Sequence, residues 1–342
     1  MNLYWAFFLA SAVSYLAGFA ARAILGRLGV VDRPNERSSH DRPVVRGGGI
    51  SLLIGAAVAG YAAAPLNAAP GFAWLALAVV VLTAVSFLDD LRSRSPVLRF
   101  GVQAGAAIVA LSALGLTGGI ASTPTASAIF ATVGFLWIIG YTNAFNFMDG
   151  INGIAGMQVV TTGAGTALVA LTAGAGRTHP AVVLAIVLAG AGAGFLPHNF
   201  PRARMFLGDV GSAPIGFLLA VLAFWLARDL GWYLLGAFGL LHANFVLDTA
   251  FTLGRRIRKG ENWLQPHREH FYQRLVRTGR THLFVTSAEG LLQVLVLVVV
   301  LAAQGMGWPV KAAAATFVCA LWAAFFTYAE RLFDRANPGR GP

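Results

Sequence analysis

Eleven mostly apolar runs, near residues 3–25, 47–65, 72–88, 98–117, 127–142, 152–174, 180–196, 211–227, 231–253, 283–303 and 309–329, follow one another with short polar breaks. A helix rises 1.5 Å per residue, so about 20 apolar residues cross a bilayer. Charged residues make up only 11% of the 342, against about 25% in a soluble domain, and the mean hydropathy is +0.69. Most of the chain therefore has no polar face to offer water. The expected fold is all-α: one polytopic membrane domain over residues 1–342 with about 11 transmembrane helices.

The formal charge of +11 would suggest a nucleic-acid partner in a soluble protein. Its placement argues otherwise. With the N-terminus outside, the segments 26–46, 89–99, 143–151, 197–210, 254–282 and the tail after 330, taken with Arg22, hold 22 of the 25 basic residues. Only Arg177, Arg228 and Lys311 remain outside. The positive-inside rule thus expects an outer N-terminus and a cytoplasmic C-terminus, and nucleic acid is excluded as a partner. Residues 3–21 have no basic stretch before them and are followed by Arg22 and Arg27, the wrong flank order for a cleaved signal, so they read as a first span. The single cysteine, Cys319, cannot form an intramolecular disulfide and reads as a small buried hydrophobe. No inverted internal repeat is visible.

Three inside segments combine carboxylates with Gly and Asn. FLDDLRSRSP, residues 87–96, closes the third span. Its adjacent Asp89 and Asp90 repel each other and want a cation, either magnesium shared with a phosphate or Arg92 and Arg94. NAFNFMDGINGIAG, residues 143–156, has no basic residue and repeats Asn143, Asn146, Asp149 and Asn152 at a spacing of three. That spacing lays donors and acceptors for a sugar or base along one helical ridge, although an Asn- and Gly-rich turn has the same composition. RARMFLGDVGSAPIGF, residues 202–217, sets Gly208, Asp209, Gly211 and Ser212 at a span start. Free backbone N–H groups there can face a phosphate while Asp209 holds a metal and Phe206 stacks on a base.

Two further segments surround these. VDRPNERSSHDRPVVRGGGI, residues 31–50, carries Arg37, His40, Arg42 and Arg46, which could neutralise a diphosphate. The long loop after Asp248 carries Arg255, Arg256 and Arg258 and then PHREHFYQRL, in which His267 and His270 are three apart. A zinc pair is conceivable. With no cysteine nearby, hydrogen bonding to phosphate or sugar is the better reading.

In this order and topology the five segments resemble the polyprenyl-phosphate N-acetylhexosamine-1-phosphate transferases, of the glycosyltransferase family 4 type, which include the phospho-MurNAc-pentapeptide translocase. The resemblance covers residues 31 to about 280, and the pattern of Asp32, Pro34, Asn35, Arg37, His40, Pro43 and Arg46 looks like the O-antigen-initiating branch. It implies that Asp89, Asp90 and His270 are catalytic and that Asp209, supported by Asp89, holds Mg2+ (or Mn2+). It further implies a nucleotide-sugar site of Asn146, Asp149, Asn152, Phe206, Arg37, His40, Arg46 and His267, with Phe206 near the uracil. Asn152 stands where the peptidoglycan enzymes carry an aspartate. His267 replaces an acidic residue, and Tyr272 and Gln273 stand where relatives acting on N-acetylglucosamine carry further histidines.

The implied reaction moves a sugar 1-phosphate from a UDP-N-acetylhexosamine to a polyprenyl phosphate in the inner membrane, releases UMP and starts a cell-envelope polysaccharide. Phe271 and Tyr272 could offer an apolar surface to a C6 methyl, which favours a 6-deoxy donor of the fucosamine or quinovosamine type. A second copy of the chain, in a homodimer, is an open alternative as a further partner. A lipid-linked-sugar transporter or flippase is the rival reading, but it predicts charged residues near the bilayer midplane, whereas nearly all carboxylates here fall at inner span ends. For the topology, Cys319 can be removed and cysteines placed at Ser122 and Asn262. An impermeant thiol reagent on intact cells should label position 122 and spare 262; the opposite pattern would invert the orientation.

Overall fold

The computed structural model describes residues 2–34, 42–92, 95–115, 123–262, 265 and 267–338. Arg37, His40, Arg94 and Ser122 lie outside the described residues. Among the described residues there are fourteen helices: α1 (Leu3–Arg27), α2 (Gly49–Ala62), α3 (Ala64–Asn67), α4 (Phe72–Leu91), α5 (Pro96–Ala113), α6 (Pro124–Met148), α7 (Ile154–Thr172), α8 (Pro180–Asn199), α9 (Asp209–Leu230), α10 (Leu234–Leu241), α11 (Ala243–Arg258), α12 (Phe271–Arg277), α13 (His282–Gln304) and α14 (Trp308–Ala336). Local chemistry sets several starts. Asn2, Ser95, Thr123 and Thr281 accept backbone N–H groups of α1, α5, α6 and α13, and Pro96 and Pro124 sit in first turns, where no N–H is needed.

Helix α9 is the axis of the bundle. Every residue from Val210 to Ala227 is buried, as expected of a helix apolar on all sides. The helices around it alternate between two ends. At one end Arg46 meets Asp90 and Asp209, Arg99 meets Asp89, Asn199 Oδ1 accepts from Gly153 N, and the Thr286 hydroxyl donates to Asn152 O. At the other end Arg228 donates to Leu114 O, His179 pairs with Asp229 at 3.2 Å, and Thr172 bonds Gln304 at 2.6 Å.

The eleven expected runs all appear as helix, but not all as full crossings. Among the described residues nine helices are long and apolar enough to span a membrane, or ten if α10 and α11, bent by 71° at their junction, form one span. The run expected at 47–65 gives the 14-residue α2 and, after a break at Ala63, the four-residue α3. Fourteen residues reach only about 21 Å, short of the ~30 Å hydrocarbon core. Two further departures follow from packing. The loop expected at 143–151 is helical to Met148, because α6 continues along α9 past Asn143 and Asn146. Cys319 is exposed on the outer face of α14 rather than buried.

A small β element joins the site end. Strands β1 (Val31–Asp32) and β2 (Val44–Val45) pair antiparallel, and Val45 bridges to Met205. The ladder runs on through Phe206 N to Val45 O at 2.8 Å, Gly48 N to Phe206 O at 2.7 Å and Gly49 N to Leu207 O at 2.8 Å. These bonds pin Arg46 beside the start of α9. The starts of α2 and α9 come so close that a Cβ on Gly49 would collide with Cα of Gly211. Gly49→Ala should therefore cost about 1–3 kcal/mol as an overpacking change and lower the thermal midpoint in detergent. Gly140→Ala, which meets open space on α6, should leave the midpoint unchanged or raise it.

Candidate functional site

The site is built where α4 ends, α5 and α9 begin and the β element crosses. Asp90 closes α4 with a fully buried side chain. Its Oδ1 accepts from Asp209 N at 3.1 Å and its Oδ2 from Val210 N at 2.9 Å, so it caps α9 from another helix. Arg46 Nε completes the carboxylate at 2.7 Å from Oδ1. Gly208 is left-handed at φ +76°, and a Cβ there would stand 2.8 Å from Asp90 Oδ2. A side chain at 208 would break the cap.

This arrangement corrects one expectation. The N–H groups at the start of α9 do not face an open phosphate site. Those of Asp209 and Val210 belong to Asp90, and those of Gly211 and Ser212 turn back to Gly208 O at 3.0 and 2.9 Å. Both oxygens of Asp90 are thus engaged by the fold.

The open chemistry belongs to Asp89, Asp209, Arg46 and Arg99. Arg99 Nη1 lies 3.0 Å from Asp89 Oδ2 and 3.7 Å from Asp209 Oδ2, and Arg46 Nη2 lies 2.9 Å from Asp209 Oδ1. Burial opposes the charge on Arg46, but Asp90, Asp209 and Asp32 outweigh it and push its pKa above the ordinary value. Asp149, at the end of α6, is held well above the usual carboxylate range by burial and then by Asp209 and Asp90 nearby. Two carboxylates bridged by one guanidinium, with a third repelled by its neighbours, are a donor set a divalent cation fits. Magnesium takes one or two carboxylates and fills its other positions with water and substrate oxygens. Among the described residues no group of three or more ligating side chains is preassembled, so Asp89 and Asp209 are the residues that could hold it.

Asn146 Nδ2 donates to Ser212 Oγ at 2.8 Å, which places it on the α9 side, whereas Asn143 turns away to Gln103 Oε1 at 2.7 Å. The ridge of four therefore divides between the site and the α5 packing. Asn152 Nδ2 is engaged with Pro201 O at 3.2 Å, and its backbone N–H reaches His282 Nδ1 at 3.4 Å. Phe206 is half-buried, three residues before Asp209.

The histidine loop is held by a residue whose role was not read from the sequence. Asp248, fully buried on α11, accepts from His270 Nδ1 at 2.8 Å, from Phe271 N at 3.0 Å, from Tyr272 N at 3.4 Å and from Thr252 Oγ1 at 3.1 Å. With Nδ1 committed, Nε2 is the nitrogen left for a ligand. His267 stacks on His270 at 5.0 Å rather than converging with it on a metal, and burial followed by His270 and Arg256 lowers its pKa to about 4. It is neutral at pH 7 and supplies no positive charge for a phosphate. Gln273 reaches back from the first turn of α12 to His270 N at 3.4 Å, so it serves the loop as a cap. Arg99 was also missed as a partner; the signal was its place one turn into α5, after the Ser95–Pro96 start.

Comparison with known proteins gives one picture. The description "Glycosyl transferase family 4" matches residues 72–227, from α4 through most of α9. Decaprenyl-phosphate N-acetylglucosaminephosphotransferase of Mycobacterium tuberculosis is 31% identical over 310 residues, covering 80% of this chain and 75% of the relative. A probable undecaprenyl-phosphate N-acetylglucosaminyl 1-phosphate transferase of Bacillus subtilis is 30% identical over 269 residues, 75% and 72% of the two chains. Phospho-N-acetylmuramoyl-pentapeptide-transferase of Streptococcus mutans is 28% identical over 239 residues, 63% and 68%.

The two kinds of carboxylate should separate in a stability experiment. Asp248→Ala leaves His270 and two buried N–H groups without their acceptor and should cost about 3–5 kcal/mol. Asp89→Ala removes a partner of Arg99, whose side chain is 40% exposed and can turn to water, and should cost clearly less than Asp248→Ala. Equal losses for both variants would refute this division.

Proposed function

The chain belongs to glycosyl transferase family 4, among the polyprenyl-phosphate N-acetylhexosamine-1-phosphate transferases, and from this we propose that it passes a sugar 1-phosphate from a UDP-N-acetylhexosamine to a polyprenyl phosphate. An oxygen of the lipid phosphate attacks the phosphorus that carries the sugar. The bond from that phosphorus to the bridging oxygen breaks, and UMP leaves with the oxygen. One diphosphate linkage is made as another is lost, so the protein's task is to bring two anions together and to stabilise charge on the transferred group.

The observation that carries this reading is the placement of Asp89 and Asp209 around Arg99, beside Arg46, at one end of a membrane bundle. Asp209 and Asp89 would hold Mg2+, which when bound neutralises the diphosphate oxygens. Arg46 and Arg99, which lie beside those carboxylates, would face the same phosphates. The helix start cannot serve them, since Asp90 occupies it. Asn146 and Asp149 border the cluster from α6 and offer polar contacts to the nucleotide sugar, and His270 presents Nε2 from the α12 side. The excess of Arg at this end supports a cytoplasmic site in the inner membrane, and the lipid-linked product fits the start of a cell-envelope polysaccharide.

The physical basis for a 6-deoxy donor does not survive the structure. Phe271 stacks on Phe326 at 4.5 Å, and Tyr272 is fully buried with its hydroxyl donating to Phe147 O at 3.0 Å. Neither ring is a wall for a C6 methyl. The relatives that match most of this chain carry N-acetylglucosamine in their names, and that sugar is the donor proposed here.

Reconstituted protein supplied with undecaprenyl phosphate, Mg2+ and a panel of UDP-sugars should release UMP. Asp209→Asn should fold normally yet turn over about 100-fold more slowly or worse. Near-normal turnover of this variant across a magnesium titration would remove Asp209 from the metal site. In a competition assay UDP-N-acetylglucosamine should show a kcat/KM at least equal to that of its 6-deoxy analogue. A clear preference for the deoxy sugar would place donor selection on residues other than Phe271 and Tyr272.

A further inference from the structure

Glu289 departs from the tendency of the carboxylates of this chain to sit at helix ends. It lies inside α13, a membrane-spanning helix, and is 3% exposed. Neither of its oxygens has a hydrogen-bond partner. A buried carboxylate in that state is costly, and inside a membrane it points to function.

Its surroundings supply more acceptors than donors. Leu241 O, which can only accept, takes Gln293 Nε2 at 2.7 Å and Gln158 Nε2 at 3.4 Å. Those bonds fix both amides, and Gln158 Oε1 then accepts from Asn244 Nδ2 at 2.8 Å. Gln293 Nε2 is spent on Leu241 O and Gln158 Oε1, and Asn244 Nδ2 gives one of its two N–H groups to Gln158 Oε1, while Asn244 Oδ1 and Gln293 Oε1 remain unpartnered. Both residues, 1% and 3% exposed, line one small cavity with Glu289 and Thr286. Four acceptor oxygens thus surround a space of about 10 Å³, the room of a single water-sized particle. A proton on Glu289 would serve only one acceptor pair. A divalent ion would leave net positive charge in a low dielectric. A monovalent cation balances the carboxylate and can touch all four oxygens.

We propose that Glu289, Asn244 and Gln293 form an intramembrane site for one sodium-sized monovalent cation. The ion ties α13 to α11 one helical turn from Asp248, which holds His270. It is distinct from the catalytic magnesium and takes no part in bond making.

The full chain in lipid nanodiscs, free of magnesium and substrates, is melted at constant ionic strength while N-methyl-D-glucamine chloride is replaced by NaCl or KCl. Sodium at saturating levels should raise the thermal midpoint by about 5 °C, with potassium weaker. Equilibrium binding of sodium-22 should reach one ion per chain. Glu289→Gln keeps the shape but removes the charge and should abolish both signals; Gln293→Leu should weaken binding about tenfold and decides the matter if the first variant does not fold. Absence of stoichiometric sodium-22 binding to the wild type overturns the site and leaves a protonated, water-bridged Glu289. So does a rise reproduced equally by N-methyl-D-glucamine, or one unchanged in a folded variant.

Discussion

The carboxylate of Asp90 joins three parts of the chain that are far apart in sequence. It receives two N–H groups from the start of α9 and the guanidinium of Arg46 from beyond the β element. A charged acceptor on amides at a helix start is favoured both by the unpaired N–H groups and by the helix dipole. Because Asp90 is locked there, its neighbour Asp89 must emerge from the next position of α4, toward Arg99 and Asp209. One buried interaction therefore sets the direction of the carboxylates gathered around Arg99. Adjacent aspartates are usually read as a pair with one task; here they take different partners, Asp90 the start of α9 and Arg46, Asp89 the guanidinium of Arg99.

A second buried carboxylate repeats this logic on the other side of the site. Asp248 gathers the amides of Phe271 and Tyr272 and the ring of His270, so a loop on the membrane surface takes its shape from a side chain inside α11. The site is thereby supported by two buried carboxylates, one on α4 and one on α11. Around it, Arg255 and Arg274 share Glu330 at 2.9 and 2.8 Å and bind α11, α12 and α14 together. Such partly buried networks leave few ways for the loop to move independently of the bundle.

The membrane character and the alternation of the helices were legible because hydropathy and the placement of arginine are coarse, additive signals. Asp89, Asp209 and Asn146 were legible because polar side chains at span ends stand out against an apolar background. The partition of roles was not, since which of two aspartates caps α9 depends on contacts 119 residues apart. The same limit hid Asp248, whose partners lie 22 to 24 residues away across an irregular loop. Composition also misled at two points. Gly208, Gly211 and Ser212 suggest free backbone amides until a carboxylate from another helix is seen to take that end. Phe271 and Tyr272 suggest an aromatic surface until their packing on Phe326 and Phe147 is seen.

The short helix α2 has a consequence for the lipid around it. Ile54 and Val58 face outward at 42% and 43% exposure, so one side of α2 meets acyl chains, yet its apolar length falls about 9 Å short of the hydrocarbon thickness. A bilayer meeting a helix too short for it thins locally and draws its headgroups inward. Gly49, where α2 begins, is three residues from Arg46. Because α2 starts level with α9 at the site end, its missing length lies at the far end, where α3 follows, and thinning of the bilayer would fall on the leaflet opposite the site.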